Sequence, residues 1–360
     1  MTVTETSLVG ADLGLTGLSG VPAADAPQKV KDFTSDQEVR WCPGCGDYVI
    51  LATVRGFLAD LGLRRENLMF VSGIGCSSRF PYYLDAYGIH SIHGRAPAIA
   101  TGLAVTRPDL SVWVVTGDGD ALSIGGNHLI HALRRNVNMT ILLFNNRIYG
   151  LTKGQYSPTS EPGKVTKSTP MGSVDHPFNT LSVALGAEAS FAARALDSDR
   201  AGLTEVLRAA AEHRGTSFVE ILQDCPIFND GSFDVLRKGD AESRLIPLHH
   251  GRPIRFGADG EFAVVRSGFA LLVARTADVE ESDIIVHDAY RDNPEYAYAL
   301  SRLSDQDLGH VVTGVFRAVS RPTYDDGVRA QADAARERGP VDGDSLQALL
   351  SGTETWTVGT

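Results

Sequence analysis

Residues 111–120 read SVWVVTGDGD, an apolar run rich in β-branched residues that ends in a turn of alternating glycines and aspartates. Such a run before a glycine turn is typical of a buried β-strand. A helical pattern follows from Ala121 to Arg135, and a second buried strand over residues 139–144 ends at Asn145-Asn146. Strand, helix and strand in this order are the building block of a parallel sheet. The stretch therefore predicts an α/β fold with a mostly parallel sheet flanked by helices.

The turn after the first strand has the chemistry of a magnesium diphosphate site. Glycines on both sides of Asp118 let the backbone approach phosphate oxygens, and a helix N-terminus favours negative charge. Asp118, Asn146 and the Ile148 carbonyl offer the hard oxygen ligands that Mg²⁺ prefers. A surface turn would explain Gly-Asp-Gly alone, but the Asn pair at the end of the next strand would then be a coincidence.

Four cysteines, Cys42, Cys45, Cys76 and Cys225, form a second signal. Cys42-Pro43-Gly44-Cys45 is a C-x-x-C turn that points two sulfurs at one centre. Cys76 and Cys225 each follow a predicted strand. If these strands are parallel neighbours, both thiols emerge at carboxyl ends, where open α/β sheets place ligands. Four thiolates could hold zinc or a four-iron cluster, and inert thiols are the third alternative, so the spacing alone does not choose.

The overall composition excludes several classes of protein. Of the 360 residues, 43% are hydrophobic and 21% are charged, which is ordinary for a globular protein and too apolar for disorder. The net charge of −11 argues against nucleic acid or an anionic membrane as the main partner. No uncharged apolar stretch approaches the ~18–20 residues of a membrane span, and residues 1–28 lack a signal-peptide pattern. We therefore expect a cytoplasmic location.

Together, these motifs resemble the beta subunit of 2-oxoacid:ferredoxin oxidoreductases. Gly-Asp-Gly at 117–119 with Asn145-Asn146 is similar to the thiamine diphosphate signature, and the cysteines lie in WCPGCGD (41–47), GIGCSSR (73–79) and DCP (224–226). The likeness runs from about residue 36 to residue 320 and includes GLTKGQ (150–155), SPT (157–159) and AYALSRL (297–303). The branch that the chain resembles most is the two-subunit 2-oxoglutarate:ferredoxin oxidoreductases, which implies a thiamine diphosphate-binding fold with a C-terminal extension.

The resemblance implies three bound groups and their ligands. One [4Fe-4S] cluster falls to Cys42, Cys45, Cys76 and Cys225, and magnesium falls to Asp118, Asn146 and Ile148. Thiamine diphosphate contacts carry over to Gly119, Asp120, Gly150 and Leu151, with a further wall from Ile74, Gly75, Cys76 and Ser77. His93 is implied near the reactive end of the cofactor, as a candidate catalytic residue; a helix-capping or packing role is the alternative.

The implied reaction is the coenzyme A-dependent oxidative decarboxylation of 2-oxoglutarate to succinyl-CoA and CO₂, with electrons passing through the cluster to a ferredoxin-type acceptor. Iron suits this reaction because zinc has no redox chemistry. The family places the glutamate that activates thiamine on an alpha subunit. The chain is therefore expected to be half of an active site in an α2β2 heterotetramer. Pyruvate or another 2-oxoacid is the alternative substrate, and a non-catalytic iron–sulfur electron-transfer subunit is the alternative of another class.

Two cations are candidate substrate ligands. Arg79 and Lys153 flank proposed cofactor loops, and a dicarboxylate such as 2-oxoglutarate needs a cation for its distal carboxylate. A solvated surface charge is the alternative for both. Trp41, beside Cys42, is expected to shield the cluster from water.

The sequence also predicts how the chain is organised. Residues 1–35 are interpreted as an N-terminal arm, 36–235 as the thiamine diphosphate- and cluster-binding domain, 236–320 as an extension that packs on it, and 321–360 as a peripheral tail. Apolar spacing predicts helices over Tyr48–Leu61 and Leu203–His213. Further strands are expected near residues 68–72 and 217–222.

Overall fold

The computed structural model of the chain describes residues 15–268, 270–304, 307–339 and 342–359. Within these residues the β-strands are β1 (Leu68–Ser72), β2 (Tyr87–His90), β3 (Ser111–Gly117), β4 (Met139–Asn145), β5 (Phe191–Leu196), β6 (Thr216–Leu222), β7 (Leu245–Leu248), β8 (Arg255–Phe256), β9 (Phe262–Ser267), β10 (Ala270–Arg275) and β11 (Val311–Ala318). The α-helices are α1 (Asp47–Leu61), α2 (Ala96–Thr106), α3 (Gly126–Arg135), α4 (Thr180–Gly186), α5 (Arg200–Glu212), α6 (Glu295–Ser301), α7 (Tyr324–Glu337) and α8 (Gly343–Ser351).

The main sheet of the described residues has eight strands in the order β2-β1-β3-β4-β6-β5-β11-β7. Its pairs are parallel except β5 with β11, which is antiparallel. Side chains of β3 alternate between the two faces: Val114 packs in the core with α2 and α3, whereas Trp113 and Val115 pack with α1 and α5. Helices thus cover both faces, and the predicted α/β fold is confirmed.

One predicted helix is divided in two. Asp120–Ile124 forms a π-helical turn, Ser123 leaves helical geometry with φ −92° and ψ −106°, and α3 begins only at Gly126. A Cβ on Gly125 would lie 2.4 Å from the Asp120 carbonyl oxygen, and a Cβ on Gly94 would lie 2.6 Å from Gly125 N. The glycines therefore allow the segment before α2 to pack directly against the turn that carries Asp120.

Residues 236–320 enter the main sheet rather than only covering it. β11 pairs with β5 and β7, and a bulge lies between Val315 and Arg317, while β8, β9 and β10 form a small antiparallel sheet. Strands before and after the predicted boundary at residue 235 therefore belong to the same sheet. The remaining division into domains stays a prediction.

The start of the described chain and α7 pack on the main sheet and its helices, whereas α8 and residues 352–359 are exposed. Residues 1–14 of the predicted arm lie outside the described residues, while Gly17 N donates to the Glu212 carbonyl at 2.8 Å. In the predicted tail, Asp325 of α7 is buried and accepts a hydrogen bond from Asn138 N. In the part of the chain that the structure describes, no helix combines the length and apolarity of a bilayer crossing.

Candidate functional site

A cavity of about 480 Å³ opens at the carboxyl edge of the main sheet. The segments that follow β1, β3, β4 and β6 meet there, because neighbouring parallel strands end at the same edge. Twelve residues that the sequence singled out line it: Ile74, Gly75, Cys76, Ser77, His93, Asp118, Gly119, Asp120, Asn146, Ile148, Gly150 and Leu151. Seven further lining residues were not among the ligand residues predicted from the sequence: Asp47, Gly117, Phe144, Tyr149, Thr152, Gln155 and Gln223.

Asp118 is the buried carboxylate of this cavity. Its Oδ2 accepts hydrogen bonds from the hydroxyls of Ser157 and Thr159, the latter at 2.6 Å. Burial raises the pKa of Asp118 to about 6, and the two hydroxyls limit the rise because they stabilise the ionised form. Asn146 and Ile148 lie in the same cavity wall. A carboxylate, an amide and a carbonyl are a donor set that fits Mg²⁺.

Asp120, two residues further on, accepts hydrogen bonds from three segments of the chain. Its Oδ1 accepts from Ile74 N at 3.1 Å and from Gly94 N at 2.7 Å, and its Oδ2 accepts from Thr116 Oγ1 at 2.6 Å. A Cβ on Gly73 would lie 1.8 Å from that Oδ2, so only glycine fits there. Both carboxylate oxygens thus bind the protein itself, and a contact of Asp120 with the cofactor stays a prediction.

The imidazole of His93 is oriented by the same carboxylate. Its Nδ1 lies 2.5 Å from Asp120 Oδ1, its side chain is 38% exposed, and it lines the cavity. With Nδ1 donating to Asp120, Nε2 is the nitrogen that remains for a ligand. The geometry therefore suits a residue that contacts a bound molecule, and the catalytic role itself stays a prediction.

Two glycines bring the backbone close to the cavity. A Cβ on Gly119 would lie 2.1 Å from the ring of Tyr149, whose hydroxyl donates to the Gly119 carbonyl at 3.0 Å. A Cβ on Gly150 would lie 3.6 Å from the sulfurs of both Cys76 and Cys225. Gly150, which lines the cavity, therefore lies next to both sulfurs, and Cys76 lines the cavity as well.

The four cysteines gather beside this wall. A Cβ on Gly44, in the C-x-x-C turn, would lie 3.7 Å from Pro226, and Gly46 N donates to the Asp224 carbonyl at 3.2 Å. These contacts bring Cys42 and Cys45 to Cys225. The strands before Cys76 and Cys225 are parallel but not neighbours, because β3 and β4 lie between β1 and β6. The thiols still lie near one another because β1, β3, β4 and β6 all end at the same edge of the sheet.

Burial dominates the electrostatics of the thiols. It raises the pKa of Cys76 to about 12, with a further rise from Asp47 and Cys225 that the Arg79 guanidinium opposes. The pKa values of Cys45 and Cys225 are likewise raised, first by burial. Four thiols close enough to influence one another are a donor set that fits an iron–sulfur cluster, whose positive iron would stabilise the thiolates. Among the described residues, no group of three or more His, Cys, Asp or Glu side chains is arranged around a single-ion site.

Trp41 packs in the same apolar cluster as Cys45 and Cys76. Its Nε1 donates to the Cys76 carbonyl at 2.7 Å, and its ring meets the ring of Tyr83 edge-on with centroids 4.8 Å apart. The side chain is buried. This position is the one expected of a residue that keeps water from a cluster, and the shielding itself stays a prediction.

Arg79 and Lys153 lie outside the residues that line the cavity. Arg79 Nη1 donates to the Arg40 carbonyl at 3.0 Å, which directs this side chain along the cysteine side. Lys153 is exposed in the turn after Gly150, with a φ of +77°. Their part in substrate binding stays a prediction.

The family of thiamine pyrophosphate enzymes matches residues 73–221 through its C-terminal TPP-binding domain. This match begins directly after β1 and spans β3, β4 and all but the last residue of β6, and the ends of these strands form the cavity. The fold and the site therefore define a thiamine diphosphate enzyme.

Similar proteins show to which family of thiamine diphosphate enzymes the chain belongs. The chain is 73% identical to the 2-oxoglutarate oxidoreductase subunit KorB of Mycobacterium tuberculosis, over 99% of this chain and 97% of that protein. It is 43% identical to the 2-oxoglutarate synthase subunit KorB of Archaeoglobus fulgidus, over 52% of this chain and 69% of that protein. A solved 2-oxoglutarate:ferredoxin oxidoreductase from Magnetococcus marinus, with 2-oxoglutarate, coenzyme A and succinyl-CoA bound, matches with a TM-score of 0.72 and 36% identity, over 92% of this chain and 98% of that chain. The chain belongs to the family of 2-oxoacid:ferredoxin oxidoreductase beta subunits, as its motifs indicated.

Proposed function

We propose that the chain is the cofactor-binding beta subunit of a 2-oxoglutarate:ferredoxin oxidoreductase, which converts 2-oxoglutarate and coenzyme A to succinyl-CoA and CO₂. The observation that carries this proposal is the shared wall: Asp118 and Cys76 line the same cavity. A magnesium diphosphate ligand beside a cluster ligand is what electron transfer from a thiamine site requires. The near full-length relative named for 2-oxoglutarate supports this substrate over pyruvate.

The residues present assign distinct tasks around the bound groups. When bound, thiamine diphosphate supplies a carbon nucleophile for the ketone of a 2-oxoacid and an electron sink as CO₂ leaves, and a [4Fe-4S] cluster accepts electrons singly. Asp118, Asn146 and the Ile148 carbonyl would hold Mg²⁺, whose charge would favour the diphosphate. Asp120 accepts a hydrogen bond from His93 Nδ1, which leaves Nε2 as the ring nitrogen for a bound molecule.

The four cysteines would hold the cluster beside Gly150. Because Cys76 lines the cavity and the Cys225 sulfur lies beside Gly150, the electron path would be short. Electrons then leave to a ferredoxin-type acceptor. An alpha subunit, in an α2β2 assembly, supplies the glutamate that activates thiamine, so the isolated chain is inactive. A cytoplasmic location stays a prediction.

The test is viologen reduction by the chain co-purified anaerobically with its alpha subunit, with thiamine diphosphate and coenzyme A. Reduction with 2-oxoglutarate and not with pyruvate is the expected result. Reduction with pyruvate alone would retain the chemistry and overturn the substrate. Turnover by the isolated chain would overturn the split site, and a complex with no iron or acid-labile sulfide would overturn the cluster.

The substrate role of Arg79 has its own test in the same assay. Arg79→Ala is expected to raise the KM for 2-oxoglutarate more than the KM for pyruvate, because only the former has a distal carboxylate. Equal effects on both substrates would contradict this role and leave Arg79 as a cation beside Cys76.

A further inference from the structure

Gln223 lies between the two cofactor sites. It follows β6 directly, and its backbone N–H donates to the Asn145 carbonyl at 3.0 Å, one residue before the magnesium ligand Asn146. In the other direction along the chain, Cys225 is two residues away. The side chain is 1% exposed and lines the cavity. Its position is therefore fixed by the same strand end that brings both sites together.

The amide nitrogen of Gln223 contacts a cluster ligand. Nε2 donates to the Asp224 carbonyl at 2.5 Å and lies 3.3 Å from the sulfur of Cys45. Because a backbone carbonyl can only accept, the contact with Asp224 identifies which end of the amide is the nitrogen. One hydrogen of the NH₂ group is then used by Asp224, and the second is available to the Cys45 sulfur.

The amide oxygen of Gln223 does not explain the orientation of the side chain. Gln223 Oε1 is buried and has no hydrogen-bond partner among the described residues. A buried acceptor without a partner is costly, so the oxygen is not what holds this side chain in place. The two nitrogen contacts, to Asp224 and to Cys45, therefore account for its orientation.

We propose that Gln223 is a positioning residue that donates a hydrogen bond to the Cys45 thiolate and thereby raises the reduction potential of the cluster. A hydrogen bond to a ligand sulfur draws off negative charge, and this favours the reduced cluster because it carries one more electron. The amide nitrogen is neutral and buried, so the effect does not depend on a titrating group. This inference deepens the proposed function and rests on it.

The test is an EPR-monitored redox titration of the anaerobic complex with its alpha subunit. Gln223→Met keeps the length of the side chain and removes the donor, and it is expected to shift the midpoint potential of the cluster downward. Gln155→Met is the matched control, because Gln155 lines the same cavity and makes no described contact with a cysteine. This control is expected to leave the potential unchanged. An unchanged potential in Gln223→Met, or an equal shift in both variants, would overturn the inference.

A second measurement covers the case in which Gln223→Met loses its cluster. Wild-type complex is made by cell-free synthesis with glutamine carrying ¹⁵N in the side-chain amide, and the reduced cluster is examined by pulsed EPR. A ¹⁵N coupling that disappears in Gln223→Asn, whose amide is one methylene shorter, supports the hydrogen bond. Absence of the coupling in wild type overturns it. A wild-type complex without iron and sulfide overturns the proposed function instead, and the inference with it.

Discussion

The proposed magnesium ligands and the proposed cluster ligands are stabilised in different ways. We call the region around Asp118 the diphosphate end of the cavity and the region around the four cysteines the cysteine end. At the diphosphate end, Asp118 is clamped by hydroxyl groups, and Thr159 Oγ1 also lies 2.8 Å from Asn145 Oδ1. Asn145 in turn donates to Glu220 at 2.7 Å, and Glu220 pairs with Arg194 at 2.6 Å. At the cysteine end, burial raises the pKa values of Cys45, Cys76 and Cys225, and Trp41 packs in one apolar cluster with Cys45 and Cys76.

The Asp118 site is therefore preorganised for its metal ion, whereas the cysteine site becomes charged only when its metal binds. A hydrogen-bonded carboxylate offers Mg²⁺ a charge that is largely formed before the ion arrives. Neutral thiols acquire their charge only as iron binds and displaces their protons. The two ends should therefore respond independently to substitution, although they share one wall.

The largest expected effect follows the loss of a cluster ligand. Cys76→Ser is expected to abolish viologen reduction by the complex, since electrons then have no acceptor beside the cavity. Thiamine diphosphate binding, measured by calorimetry on the same protein, should be retained because the diphosphate end is intact. Loss of both functions in a folded protein would contradict the independence of the two ends.

The converse change is Asp118→Asn. It removes the proposed charged magnesium ligand and should weaken thiamine diphosphate binding by more than about 100-fold, since even changes beyond the direct ligands cost 10–100-fold. Iron and sulfide content should match wild type. A variant that keeps normal cofactor affinity would show that Asp118 does not hold the magnesium ion.

A smaller effect is expected from the hydroxyl clamp. Thr159→Val keeps the shape of the side chain and removes one hydrogen bond to Asp118, so the affinity for Mg²⁺ and thiamine diphosphate should fall by about 10-fold. The cluster potential, followed by EPR, should not move. Thr159→Ser restores a hydroxyl and serves as the control, and it should recover most of the affinity.

The mildest test uses pH. Protons compete with Mg²⁺ for Asp118, whose pKa is about 6 in the protein without metal. Between pH 7 and pH 5 the ionised fraction falls from about nine-tenths to about one-tenth, so cofactor affinity should fall by about 10-fold. The inflection should move to higher pH in Thr159→Val, because the lost hydroxyl had stabilised the ionised form. A pH-independent affinity would contradict this assignment.

Particular residues show why the sequence predicts much of this site. Cys76, Asp118 and Asn146 each follow an apolar run, and the runs over residues 68–72, 111–116 and 139–144 correspond to β1, β3 and β4. The ends of parallel strands bring such residues together whatever lies between them in the chain. The cavity could be anticipated for that reason.

Other parts depend on long-range contacts that leave no local pattern. β5 contains Arg194, and a charged residue is not expected in a buried strand. Its partner, Glu220 on β6, is known only from the structure. β11 contains Gly314 and a bulge, so its apolar alternation is broken. Asp120 shares a motif with Asp118, yet only the structure reveals its bonds to Ile74 and Gly94.

The central claim is that thiamine diphosphate at Asp118 and a cluster at the four cysteines work as one unit in this chain. Its most direct measurement is freeze-quench EPR of the anaerobic complex with the alpha subunit, mixed with 2-oxoglutarate and no external acceptor. The account predicts a reduced-cluster signal that requires bound thiamine diphosphate and is absent in Asp118→Asn. A cluster that stays oxidised in a thiamine-loaded wild-type complex, while CO₂ is released, would contradict it.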